Sequence, residues 1–108
     1  MNAAHLVIHP ELLSSSATQA VGVLKILANE DRLMLLCQLS QSEHCVSELE
    51  EELGIAQPTL SQQLGVLRNE GVVTTRRQGK NIYYSMADAR TLEILVPLHR
   101  LYCPEGEA

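Results

Sequence analysis

The chain has no tryptophan and no phenylalanine, and its three tyrosines are the only aromatics among 108 residues. A core without large rings must be aliphatic, and an apolar content of 45% supplies leucine and valine for it. Such an interior favours helix packed on helix. No apolar run reaches the ~20 residues that span a bilayer, and no basic segment precedes an apolar one, so the expectation is a soluble, cytoplasmic protein with no membrane partner. Three cysteines are an odd number without regular spacing. That excludes a disulfide scaffold and predicts free thiols in a reducing compartment. A Cys-x-x-Cys pair, a glycine-rich cleft and an evident acid/base partner are all missing, which weighs against a small persulfide-handling thiol enzyme.

The formal net charge is −5, which at first disfavours a nucleic-acid partner. Its distribution reverses that. Residues 57–85 carry Arg68, Arg76, Arg77 and Lys80 against Glu70 alone, while Glu48, Glu50, Glu51 and Glu52 concentrate acid elsewhere. Phosphate attraction follows the local field, and a homodimer would present the basic segment twice.

What is present centres on Gln57-Pro-Thr-Leu-Ser-Gln-Gln-Leu-Gly-Val-Leu67. Pro58 suits the first turn of a helix, where a missing N–H costs nothing. Leu60, Leu64 and Leu67 then form one apolar stripe. The other face offers Thr59, Ser61, Gln62 and Gln63, uncharged groups that donate and accept as base-edge readers in a major groove must. Gly65 inside this helix costs about 1 kcal/mol relative to Ala, so close packing against another helix is expected there.

Taken in order, residues 1–13 lack a period and read as a mobile arm, with His5 and His9 as solvated side chains rather than half a metal site. Ser15 or Ser16 is expected to cap a helix running to about Ala28. Asn29 caps the next, Glu30 to about Ser40, which is apolar almost all round and therefore central. Residues 41–44 make a polar connection. A short helix from Val46 to Leu53 stops at Gly54, and a tight turn leads into Pro58, giving a helix-turn-helix. Val72–Arg77 and Asn81–Met86 are β-branched and aromatic runs around Gln78-Gly79-Lys80, a hairpin with a basic tip. Asp88 begins a last helix that Pro97 should kink or divide. Residues 104–108 read as a tail.

The expected fold is thus mainly α with a small β-hairpin, a winged helix-turn-helix of order α-α-α-α-β-β-α over residues 14–103. The first and last helices have no partners left in so small a domain. A homodimer and a pseudo-palindromic, double-stranded operator follow. Gln57, Thr59, Ser61, Gln62 and Gln63 are the candidate readers; Arg68, Arg76, Arg77 and Lys80 are candidate backbone contacts.

Leu-Ala-Asn-Glu-Asp-Arg-Leu (27–33), Ser-Glu-Leu (47–49) and Gln-Pro-Thr-Leu-Ser-Gln-Gln-Leu-Gly-Val-Leu-Arg (57–68) resemble the ArsR/SmtB repressors, over about residues 17–103. Leu-Met-Leu-Leu-Cys37 with Leu-Tyr-Cys103 resembles the sulfide-responsive, BigR/SqrR-type branch, and the Leu-His-Arg-Leu-Tyr-Cys ending is also similar to HlyU. The resemblance implies a redox sensor: Cys37 and Cys103 match two cysteines that reactive sulfur species join by a disulfide or polysulfide bridge, lowering operator affinity. Read from the residues alone, Cys37 is a small core hydrophobe. A bridge further requires Cα atoms within about 7 Å.

A metal(loid)-responsive alternative would use Cys45 with His44, Cys37 or Cys103. The arsenic-sensing Cys-Val-Cys triplet is here Cys45-Val46-Ser47, short of one ligand. Of the zinc-sensing pattern only Asp88 and His99 have counterparts. No resident metal or cofactor is therefore expected, and no enzymatic activity.

Overall fold

A computed structural model describes residues 6–103. The elements run α1 (Pro10–Leu27), α2 (Glu30–Leu39), β1 (His44–Cys45), α3 (Val46–Leu53), α4 (Gln57–Asn69), β2 (Val73–Gln78), β3 (Asn81–Met86) and α5 (Ala89–Tyr102). His5 and the expected tail at 104–108 lie outside the described residues.

Helix α1 starts upstream of the serines expected to cap it. Pro10 stands at its first turn behind an extended His9, with no side-chain cap. The hydroxyls point back into the helix instead: Ser15 donates to the Leu12 carbonyl at 3.1 Å and Thr18 to Ser14 at 3.0 Å. Helix α2 begins as its sequence requires. The Asn29 side chain accepts from the Arg32 backbone N–H at 2.9 Å, and Glu30 and Asp31 occupy the first turn. Its burial is one-sided rather than all round: Leu35, Leu36 and Leu39 are buried, but Met34 is exposed and Cys37 half-buried.

Gly54 closes α3 in the left-handed conformation at φ 69°, donating its N–H to the Glu50 carbonyl at 2.9 Å. Helix α4 follows after two residues, and Leu60, Leu64 and Leu67 lose all solvent contact against a core that includes Leu35, Leu36, Leu49 and Val72. At about 25 cal/mol per Å² of apolar surface, three such side chains each contribute about 1.5–3 kcal/mol. The packing expected at Gly65 is not there. A Cβ built on it meets nothing within 4 Å, because the residue lies off the leucine stripe.

Strands β2 and β3 pair antiparallel from Val73↔Met86 to Gln78↔Asn81 around a two-residue Gly79-Lys80 turn, with Gly79 at φ 63°. The polar connection before α3 contributes a strand the sequence did not announce. His44 pairs with Tyr84 and Cys45 with Tyr83, giving the order β1-β3-β2. Two residues are too few to carry a period, so only the tertiary pairing reveals them.

Helix α5 is capped by Asp88, which accepts from the Arg90 N–H at 3.2 Å and the Thr91 hydroxyl at 2.8 Å. It runs unbroken through Pro97. The division expected there does not occur. The carbonyl that Pro97 leaves without a helical donor belongs to Glu93, an exposed residue. Leu95 is buried beneath α5, while Val96 is 53% and Leu101 72% exposed; on α1, Leu12, Val21 and Leu24 are exposed as well.

Candidate nucleic-acid interface and thiol pocket

Helix α4 sorts its polar residues into two groups. Gln57, Ser61, Gln62 and Arg68 are exposed, with Gly65 in the strip between Ser61 and Arg68. Thr59 and Gln63 are half-buried. The Gln63 side-chain amide oxygen, Oε1, accepts from Nη1 of Arg32 at 2.8 Å. Arg32 also donates from Nε to the Ile26 carbonyl at 2.7 Å and from Nη2 to Lys25 at 3.1 Å. The sequence gives no hint of this arginine's role, because its partner lies 31 residues away.

The wing carries its cations in two different states. Arg76 reaches across the Tyr83 ring, 4.9 Å from its centroid, to the Glu43 carboxylate. Nε donates to the two oxygens at 3.0 and 2.9 Å, and Nη2 pairs with the same group. Those hydrogen bonds and the guanidinium charge hold the Glu43 carboxyl below its ordinary range. Arg76 is thus already paired with an anion. Among the described residues Arg77 donates only to the Gly79 carbonyl, at 3.3 Å, and Lys80 is exposed at the turn. Their charges remain available to a phosphate.

At the other end, a groove of about 350 Å³ separates α2 from α5, lined by Cys37, Gln38, Leu92, Leu95, Val96 and His99 among others. Cys103 follows α5, its backbone N–H bonded to the His99 carbonyl at 2.9 Å. All three cysteines are free thiols. Burial pushes the Cys37 thiol up, and the charge of a Cys103 thiolate raises it further. Cys103 is exposed and Cys37 half-buried.

Cys45 and His44 are engaged elsewhere. The Cys45 thiol lies 3.3 Å from the Ser47 hydroxyl. The His44 ring touches the Ser42 carbonyl at 2.8 Å through Nδ1 and Glu52 at 3.1 Å through Nε2. Glu52 also accepts from Gln38 of α2. Through Glu52 this set ties the last turn of α3 to α2 and the sheet. Among the described residues no three His, Cys, Asp or Glu side chains converge as metal ligands.

A helix-turn-helix whose second helix presents amides and a hydroxyl, followed by a basic hairpin, defines a winged helix-turn-helix, a DNA-binding class. Residues 29–75 match the model of the bacterial regulatory protein, arsR family. The chain is 46% identical over 95 residues to the biofilm growth-associated repressor of Agrobacterium fabrum, covering 88% of this chain and 81% of that protein. BigR from Xylella fastidiosa, a transcriptional repressor, superposes with a TM-score of 0.82 at 42% identity, over 91% of this chain and all of that one. Reduced HlyU from Vibrio cholerae gives 0.81 at 38% identity, over 85% and 97%. The chain belongs to the ArsR family of bacterial regulatory proteins, whose members are DNA-binding regulators and not enzymes.

Proposed function

We propose that the protein is a homodimeric repressor that holds a pseudo-palindromic operator while Cys37 and Cys103 are thiols, and releases it once reactive sulfur joins them. The observation that carries this is the placement of Cys37 in the wall of the α2–α5 groove, with Cys103 free and exposed just past the end of α5, the helix that forms the other wall. Gln57, Ser61 and Gln62 supply the groove-reading groups, with Thr59 at the edge of that face. Arg68, Arg77 and Lys80 supply phosphate contacts, which position without specifying. The repressor sense follows the relative from Agrobacterium fabrum; HlyU of Vibrio cholerae, named an activator, shares the fold.

The chemistry needs a persulfide as oxidant. The exposed Cys103 thiolate attacks the outer sulfur of a persulfide RSSH, releasing RS⁻ and becoming a persulfide itself. Cys37 then attacks the inner sulfur of that group, expelling HS⁻ and closing the disulfide. Two thiols are oxidised, and RSSH is reduced to RSH and H₂S. The order follows from exposure: Cys103 is open to solvent, whereas Cys37 is half-buried and burial raises its pKa. Because the fold favours the protonated form, that group's stability contribution is complete below the ordinary thiol range and is lost as pH climbs through its raised value. Alkylation by iodoacetamide should accordingly reach Cys103 first, with Cys37 catching up as pH rises past the ordinary thiol range.

Mass spectrometry after treatment with an organic persulfide, beside duplex-binding assays, tests the whole reading. The wild type should gain an intramolecular link and lose duplex affinity, while Cys37→Ser and Cys103→Ser keep theirs. A response unchanged in both variants removes the sensor and leaves DNA binding standing.

A further inference from the structure

The last four carbonyls of a helix have no partner inside it. At the end of α1 each finds one outside. Leu24 accepts from the Ala28 N–H at 2.9 Å and Leu27 from the Asn29 N–H at 2.8 Å. Ile26 and Lys25 both accept from the Arg32 guanidinium, at 2.7 and 3.1 Å. Arg32 stands in the first turn of α2, and its own N–H is held by Asn29. Capping α1 occupies Nε and Nη2 but not Nη1, and Nη1 is the atom that donates to Gln63 in α4.

We infer that Arg32 is a positioning residue for DNA binding, fixing the rotation of α4 against the end of α1 through Gln63. The inference rests on the reading that α4 enters the duplex. Packing alone does not make this connection. A groove of about 350 Å³, lined by Gly22, Lys25, Ile26, Arg32, Val66 and Glu70, separates α1 from α4 at this level. Beneath α4 the contact is a stripe of leucines, which resists separation but directs rotation only weakly, since apolar contact is not directional. A planar guanidinium with donors in a fixed fork joins three helices at set angles. Val21 and Leu24, exposed on α1, lie within the face that a second copy covers in the proposed dimer. The Arg32–Gln63 bond therefore ties each groove-reading helix to the dimer axis, and Gln63 acts through Arg32 rather than on a base.

The test uses duplexes selected by the wild-type protein from a randomised pool. Gln63→Met keeps the side-chain length and the α1 cap but removes the acceptor. It should weaken binding about tenfold, equally for every single-base variant of the duplex. It should also widen tolerance for one base pair inserted between half-sites, with the melting temperature and dimer dissociation constant unmoved. Arg32→Lys should bind more weakly too, and adding Gln63→Met to it should cost nothing further, as expected for partners in one bond. Unchanged affinity in Gln63→Met, a loss confined to one base pair, or losses that multiply in the double variant would each overturn the inference. A wild type that selects no duplex at all fails earlier, at the reading of α4 itself.

Discussion

Helices α4 and α5 are nearly the same length, 13 and 14 residues, and both carry leucines at helical spacing, yet they meet solvent in opposite ways. Helix α4 hides Leu60, Leu64 and Leu67 completely and shows water Gln57, Ser61 and Gln62. Helix α5 hides Thr91 and Leu95 and leaves Leu92, Val96, Leu101 and Tyr102 uncovered. One outward face is polar, uncharged until Arg68 in its last turn, and suited to hydrogen-bonded recognition. The other is apolar, and with the exposed leucines of α1 it is suited to burial against a like surface. In the proposed repressor the first face would read and the second would pair, with the thiol groove at the edge of the second, where Leu92 and Val96 line it.

That contrast can be broken at several points. Leu64→Ala empties a site with no solvent contact and should cost about 2–5 kcal/mol of unfolding free energy, read by urea titration. A cost below 1 kcal/mol would mean α4 is not anchored as described. Val96→Asp should leave urea stability close to wild type but raise the dimer dissociation constant about a hundredfold, measured by sedimentation, since a charge placed in an apolar interface is left unpaired. A dimer of unchanged affinity would place the interface elsewhere. Gly65→Ala adds a methyl group to open space and should stabilise by about 1 kcal/mol; destabilisation would show that something does pack there. Glu43→Gln should leave the melting temperature unmoved, as exposed pairs usually do. By freeing Arg76 it should steepen the salt dependence of duplex binding by about one unit per added phosphate contact. An identical salt slope would show that Arg76 never meets DNA.

The parts of this fold legible from the sequence are those with local causes. Asn29 before Glu30-Asp31, Gly54 and Pro58 around the turn, and Gly79 between two β-branched runs each act within a few residues, so α2, α3, α4 and the hairpin could be placed in advance. What escaped depends on distance. Strand β1 exists because His44 and Cys45 meet Tyr84 and Tyr83. Arg76 is withheld by Glu43, 33 residues earlier, and Gln63 by Arg32, 31 residues earlier. Neither arginine differs by local pattern from an ordinary surface cation. Composition placed Gln63 with Gln62 on one polar face, whereas helix geometry turns adjacent residues about 100° apart. For the thiols, residue pattern alone favoured a core role for Cys37. The groove beside α5 that half-exposes Cys37 is a tertiary fact.

The order β1-β3-β2 leaves the outer rim of β2 without a neighbour among the described residues. An unpaired rim of extended backbone is a template on which another chain can add a strand, and such growth need not stop at two copies. Exposed Arg77, with Lys80 at the adjoining turn, sets like charge against like charge whenever two such rims approach. The residues proposed to meet phosphate thus also oppose rim-to-rim stacking of concentrated protein, and neutralising them should cost solubility before it costs folding.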